Sequence, residues 1–241
     1  HPLTFDRVKT VQATAKESPH YDSDFPESFV ENYRRMRAKI MGYLEPDRAL
    51  RVYDNPEQID HLYARAIASY RRDIIQESLD MVDQLIEREP KNPYFYELKG
   101  QILFENGRID DAVENYSKAI LYAPESAGLI KIAYAHALLE SGEKEVLEEV
   151  VAQLLQAERY EKRSVRLHHL MAVAYGRLNQ TGLAKLHQAE EAFLKNDLAF
   201  AKQLATKAHN ALALQEDKQS AYQRSKDLLE AINKREENAK D

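Results

Sequence analysis

Between Asn92 and Pro124 the chain reads NPYFYELKGQILFENGRIDDAVENYSKAILYAP, and this stretch limits the possible folds more than any other. Two amphipathic segments flank an Asn106-Gly107 turn. Pro93 suits the first helical turn, where a missing N–H costs nothing, and Gly107 stands where a left-handed residue closes a helix. A second helix is predicted from near Ile109, because Ile109, Ala112, Val113, Tyr116, Ala119 and Ile120 follow the i, i+3, i+4, i+7 spacing of one buried face. Pro124 then stops it, since its ring clashes with the preceding turn and it has no N–H to give.

The same pattern extends in both directions. Ile59, Leu62, Tyr63, Ala66, Ile67 and Tyr70, then Ile75, Leu79, Val82, Leu85 and Ile86, form the two stripes of a preceding hairpin ending at Pro90, 34 residues before Pro124. Residues 56–90, 91–124, 125–157 and 164–213 read as four such units, with a charged interruption at 158–163. Sliding the frame forward by the same interval sets Tyr134 against Gly100 and Val146 against Ala112, with Ser141-Gly142 as the turn. In the last unit Ala189, Ala192, Ala201, Ala205 and Ala208 take small-residue positions around an Asn196-Asp197 turn. A helix over 217–236, apolar at Tyr222, Leu228, Leu229 and Ile232, is expected to cap the array, because stacked repeats leave the last apolar face open. Ahead of the repeats, 21–55 holds N-terminal helices, one carrying Phe29, Tyr33, Met36, Ile40 and Tyr43 along a face, and 1–20 holds a short helix and linker.

Tyr96, Gly100, Gly107, Ala112, Tyr116, Ala119 and Pro124 occupy the aromatic, small, glycine, alanine, aromatic, alanine and proline positions of a tetratricopeptide repeat, which the stretch resembles. The resemblance implies an all-α helical-repeat superhelix, with N-terminal helices and a C-terminal capping helix. It also implies a protein-interaction surface. Lys99 departs from the pattern by standing at the usual leucine position, with Leu98 beside it.

Composition fits such a fold and narrows its partners. Of 241 residues, 44% are hydrophobic and 31% charged, with only 7 Gly and 8 Pro, which disfavours a loop-rich β protein. The net charge of −6, with both signs mixed along the helices, gives no broad basic surface for nucleic acid. Cysteine is absent, so disulfides and thiol chemistry are excluded. No apolar run approaches the roughly 18 residues of a membrane helix. The opening HPLTFDRVKT has neither a starting methionine nor a signal-peptide core, so the N-terminus is expected to be a cut one.

A catalytic constellation is not expected within the chain. The histidines, at positions 1, 20, 61, 136, 168, 169, 187 and 209, begin no H-E-x-x-H helix. His168 and His169 are adjacent, and helix neighbours point about 100° apart, so surface or core packing is expected for them rather than a shared metal. Acid pairs such as Asp110-Asp111, Glu148-Glu149 and Glu190-Glu191 are read as solvated helix faces. No P-loop, dinucleotide turn or G-x-S-x-G serine occurs. The aromatic residues offer binding instead. Tyr96 is expected in the packing, while Tyr94 and Phe104, with Glu97 and Gln101 between them, are candidates to face an inner groove and hold an extended peptide.

The first eight residues, His1-Pro2-Leu3-Thr4-Phe5-Asp6-Arg7-Val8, resemble the histidine-proline…arginine segment that follows the catalytic core of zinc gluzincin peptidases of the HtpX and BepA type. Periplasmic BepA-type members continue into a tetratricopeptide tail in the same order. The resemblance implies that His1 approaches a catalytic zinc, as a gate or oxyanion support, and that Arg7 lies at the same active site. The H-E-x-x-H helix and its later glutamate are not among these residues. The chain is therefore expected to bind without cleaving, with no cofactor of its own and zinc held by a parent metallopeptidase. On this reading its setting is periplasmic and its role outer-membrane protein quality control. Its partners would be the peptidase domain, unfolded or misassembled proteins, and the outer-membrane assembly machinery. A freestanding repeat adaptor or co-chaperone is the alternative. The apolar Leu3, Phe5, Val8 and Val11 need a further surface, so disorder or docking is expected at this end.

Overall fold

A computed structural model describes residues 5–21 and 23–238, and every described regular element is helical. The helices are α1 (Phe5–Lys16), α2 (Glu27–Leu44), α3 (Pro46–Val52), α4 (Ile59–Arg71), α5 (Ile75–Arg88), α6 (Pro93–Glu105), α7 (Ile109–Tyr122), α8 (Gly128–Glu140), α9 (Leu147–Glu158), α10 (Val165–Arg177), α11 (Thr181–Leu194), α12 (Leu198–Leu212) and α13 (Gln219–Asn238). A 3-10 turn at Glu216–Lys218 precedes the last. The chain divides into two compact units, one up to Met81 and one from Val82.

In the first unit α2 packs on α4 through its smallest residues. Ala38 and Gly42 are the buried positions of α2, and a Cβ on Gly42 would come within 2.9 Å of the Ala64 carbonyl oxygen and the Ile67 side chain. This close crossing leaves the apolar stripe of α2 outward. Phe29, Tyr33, Met36 and Ile40 are more than half exposed, so the face read from sequence as apolar is not the one that packs. Two small residues allow helix backbones to approach as bulky ones do not, and they decide which side is buried. Arg65 holds the α3 end by donating to the carbonyls of Leu50, 3.2 Å, and Tyr53, 3.4 Å.

Helix α1 forms, yet buries no residue. Phe5 and Val11 are 72% and 66% exposed, so neither docks within the chain. Leu3 lies outside the described residues.

The second unit is a run of antiparallel hairpins, α6 with α7, α8 with α9, α10 with α11, closed by α12 and α13. Within α6 and α7 the sequence pattern has direct physical causes. Asn92 caps α6 by accepting from the Tyr94 amide at 3.1 Å, and Gly107 adopts φ +74 at the turn. A Cβ on Gly100 would stand 3.0 Å from the Tyr116 ring. Tyr96 is buried, with its hydroxyl donating to the Pro90 carbonyl at 3.0 Å. Lys99, the departure from the repeat pattern, reaches back to pair with Asp83 of α5.

The 34-residue frame slips in the next hairpin. Helix α9 begins at Leu147, with Val146 only at its N-cap, and the fully buried residue matching Ala112 by place in the helix is Val150. The longer turn over residues 141–146, with Gly142 at φ +78, moves the register. At the C-terminal end Leu228 and Ile232 of α13 join Leu204, Ala205, Ala208 and Leu212 of α12 in one core, covering the face the last repeat would expose.

Candidate functional site

Helix α6 presents Tyr94, Glu97, Gln101 and Phe104 at intervals of three and four, which places them on one side of the helix. That side is the accessible one. Tyr94 is half exposed, and Glu97, Gln101 and Phe104 are each partly so, while Phe95, Leu98 and Ile102 point into the core. The structure thus brings together the four residues singled out from sequence. Arg7 is exposed on α1, and His1 lies outside the described residues.

First helices of successive hairpins also touch one another, α6 with α8 and α8 with α10, so the surface can continue beyond α6. The Phe104 ring lies against His136 of α8, centroids 4.7 Å apart. His136 Nδ1 is 2.7 Å from a guanidinium nitrogen of Arg166 on α10. One turn further along α10, His169 sits 3.2 Å from Glu191 of α11, whose other carboxylate oxygen accepts from Lys195 at 2.6 Å. A cavity of about 500 Å³ opens here, lined by His169, Val173, Glu191, Lys195 and Phe200 among others. The strip therefore alternates flat aromatic area with charges of both signs.

Electrostatics along the strip are set by these contacts. Burial, and then the Arg166 cation, lower the His136 pKa below its ordinary value, so the ring is neutral near pH 7 and can accept from Arg166. Burial alone would raise the Glu191 carboxyl, but hydrogen bonds from Lys195 and His169 outweigh it and hold the group below the usual range.

A second constellation lies off this strip. Glu158 at the end of α9, His168 of α10, and His187 and Glu190 of α11 bring ligand-capable atoms within 4.8 Å of one another. His168 and His187 are almost completely buried, and Arg224 of α13 donates to both Glu190 and Glu158. Burial opposes charge on Glu190, yet hydrogen bonds with His168 and His187 and the nearby Arg224 hold its carboxyl well below the usual range. Burial likewise opposes protonation of His168, and the Glu190 carboxylate reverses it, raising the pKa. The sequence alone compares His168 only with its neighbour His169, and Glu190 with Glu191, expected as a solvated pair, are instead largely shielded, because His168, His187 and Arg224 converge on Glu190 and His169 and Lys195 on Glu191. The legible signal was His187-x-x-Glu190, an i, i+3 pair on one helical face.

A cleft of about 790 Å³ in the first unit is lined by Arg34, Arg37, Tyr53, Asp60 and His61 among others. No helix among the described residues is long and apolar enough to cross a membrane.

Comparison with known proteins agrees with the hairpin geometry. Crystal structures of MamA superpose well: MamA RS-1, a double mutant, gives a TM-score of 0.57 at 16% identity, covering 69% of this chain and 95% of that one. MamA MSR-1 gives 0.54 at 15% identity, over 69% and 97% of the two chains. YrrB, described as a TPR protein with an unusual peptide-binding site, gives 0.56 at 14% identity over 80% of this chain and 94% of its own. At these identities the likeness is one of fold. No curated protein matches the sequence. The tetratricopeptide repeat family matches residues 47–234, most of the chain and every hairpin from α4 to α13, and the protein belongs to the tetratricopeptide repeat family.

Proposed function

We propose that the protein binds extended polypeptide segments along the strip running from Tyr94 through Phe104 and His136 to Arg166 and His169. The observation that carries the proposal is the unbroken sequence of contacts Phe104, His136, Arg166 across three neighbouring hairpins. An extended chain can lay an apolar side chain on the Phe104 ring while a carboxylate or carbonyl meets Arg166, whose planar fork suits two hydrogen bonds. Tyr94 adds flat area and a hydroxyl at small entropic cost. A photo-crosslinker placed at position 94 should capture an unfolded polypeptide, and one at the exposed Leu121 should not. Equal capture at both positions would refute the assignment of the strip.

The wider setting we propose is that of a C-terminal module in a periplasmic zinc metallopeptidase of the gluzincin type, acting in outer-membrane protein quality control. The resemblance of His1 to Val8 to the histidine-proline…arginine segment supports it. The outward apolar stripe of α2 supports it too, since Phe29, Tyr33, Met36 and Ile40 lie on the next helix after that segment and suit coverage by a preceding peptidase domain. Unfolded or misassembled outer-membrane proteins and their assembly machinery are then the expected partners. Sequencing the coding region upstream of His1 tests the setting: an H-E-x-x-H helix with a later glutamate is expected, and a start codon directly before His1 would overturn it.

A further inference from the structure

We infer that Glu158, His168, His187 and Glu190 form a site for a divalent transition-metal ion such as zinc, tying α9, α10 and α11 together. His168 Nδ1, His187 Nδ1 and Glu190 Oε2 stand at the corners of a triangle whose three sides are each 3.1 Å. Zinc held at roughly 2.0–2.1 Å in a tetrahedral set separates its nitrogen and oxygen ligands by about 3.4 Å. An opening of a few tenths of an ångström along each side therefore admits the ion. Glu158 supplies a fourth oxygen within 4.8 Å, and imidazole with carboxylate is a ligand set suited to zinc.

Hydrogen accounting points the same way. His168 Nε2 faces the Lys162 carbonyl at 3.1 Å, and a carbonyl only accepts, so that nitrogen carries a proton. In the neutral ring Nδ1 is then a bare lone pair. Directed at it are His187 Nδ1 and Glu190 Oε2, and the latter is also an acceptor. A single proton on either Nδ1 can serve its two neighbours, but it leaves the other imidazole's lone pair 3.1 Å from the Glu190 carboxylate oxygen. Protons on both Nδ1 atoms bring two N–H groups face to face at 3.1 Å. A cation at the centre of the triangle satisfies all three lone pairs at once.

The surroundings are those of a built site. The His168 Nε2 contact to a backbone carbonyl fixes the ring and its tautomer, as the outer hydrogen bond of a metal-bound histidine does. Arg224 takes the second oxygen of Glu190 and holds Oε2 at 2.8 Å, orienting the carboxylate while leaving a lone pair toward the triangle. A pocket of about 330 Å³ bordered by His168, Glu190, Arg224 and Phe193 gives access from solvent. With both imidazoles neutral, two carboxylates against one guanidinium leave the cluster with a net negative charge before any ion binds.

The test uses the full 241-residue chain, stripped of metal by a chelator and titrated with zinc and with cobalt(II) at about pH 7.5, where free imidazole is neutral. One equivalent of zinc is expected to bind and to raise the melting temperature. Cobalt should give the intense visible absorption of a four-coordinate ion. His187→Gln, which keeps the bulk of the ring, should weaken binding at least about tenfold. His169→Ala, at the adjacent exposed histidine, should leave it unchanged, and circular dichroism confirms that both variants fold. Absence of a saturable equivalent, a weak octahedral cobalt spectrum, or binding equally strong in the folded His187→Gln variant would each overturn the assignment.

Discussion

Phe104 and His136 belong to different hairpins, yet their rings lie 4.7 Å apart on the accessible side of the repeat array. The pair therefore has two roles, helping α6 and α8 meet and forming the floor of the proposed binding strip. Because Phe104 is partly exposed, those roles can be separated experimentally. Phe104→Ala should cost roughly 1–3 kcal/mol of stability, the ring's partial apolar burial together with the aromatic pair's contribution beyond its area, as measured by chemical denaturation.

Tyr94 is half exposed, and its truncation leaves no buried cavity. Tyr94→Ala should change unfolding free energy by less than about 0.5 kcal/mol. It should still reduce crosslinking to unfolded polypeptide, so stability and capture measured side by side distinguish a binding residue from a packing one.

The strip should respond to acid through His136. Its pKa is lowered in the folded state, so its contribution to stability is present above the ordinary histidine value near 6.5 and is lost as pH falls through the folded value. The titratable and charged groups facing the ring are Arg166 and His169 on α10 and Glu140 on α8. Protonation there sets a second cation against Arg166. Polypeptide affinity should fall in mild acid, and His136→Gln should flatten that part of the pH profile.

Backbone crowding gives a graded stability series. Gly100→Ala places a methyl 3.0 Å from the Tyr116 ring and should cost about 1–3 kcal/mol by overpacking. Gly107→Ala meets no neighbouring atom but keeps φ at +74, so roughly 1 kcal/mol of backbone strain is expected. Denaturant midpoints should rank Gly100→Ala below Gly107→Ala, and both below the parent chain.

Arg224 ties α13 to α9 and α11 through Glu158 and Glu190. Its side chain is 38% exposed, so Arg224→Met should cost about 2 kcal/mol, less than the ~3–5 kcal/mol of a fully buried pair. Glu190, with its carboxyl held low in the fold, contributes stability above the ordinary carboxylate value and loses it as pH falls below that. Arg224→Met should therefore shrink the drop in denaturation free energy between neutral and acid pH.

The repeat was legible because Gly100, Ala112, Tyr116 and Pro124 each meet a steric demand local to one hairpin. The binding strip was legible at Tyr94, Glu97, Gln101 and Phe104 because a single helix sets their spacing. Its continuation was not. His136 and Arg166 join only through stacking of helices 30 residues apart in sequence, and the longer turn before α9 broke the period that would have aligned them. The α2 stripe misled for a related reason, since two small residues rather than the bulky apolar ones chose the packed face. His168, His187 and Glu190 converge from separate helices, and only the His187-x-x-Glu190 half of that set was written locally.

The central claim is that the strip around Phe104 holds extended polypeptide. Fluorescence anisotropy of a labelled, unfolded outer-membrane protein segment titrated with the 241-residue chain tests it most directly, with Phe104→Ala and Arg166→Ala compared at equal helicity. Saturable binding that weakens about tenfold or more in each variant, the loss of roughly 1.4 kcal/mol, is the predicted result. Binding of equal strength in the parent and in both folded variants would contradict it.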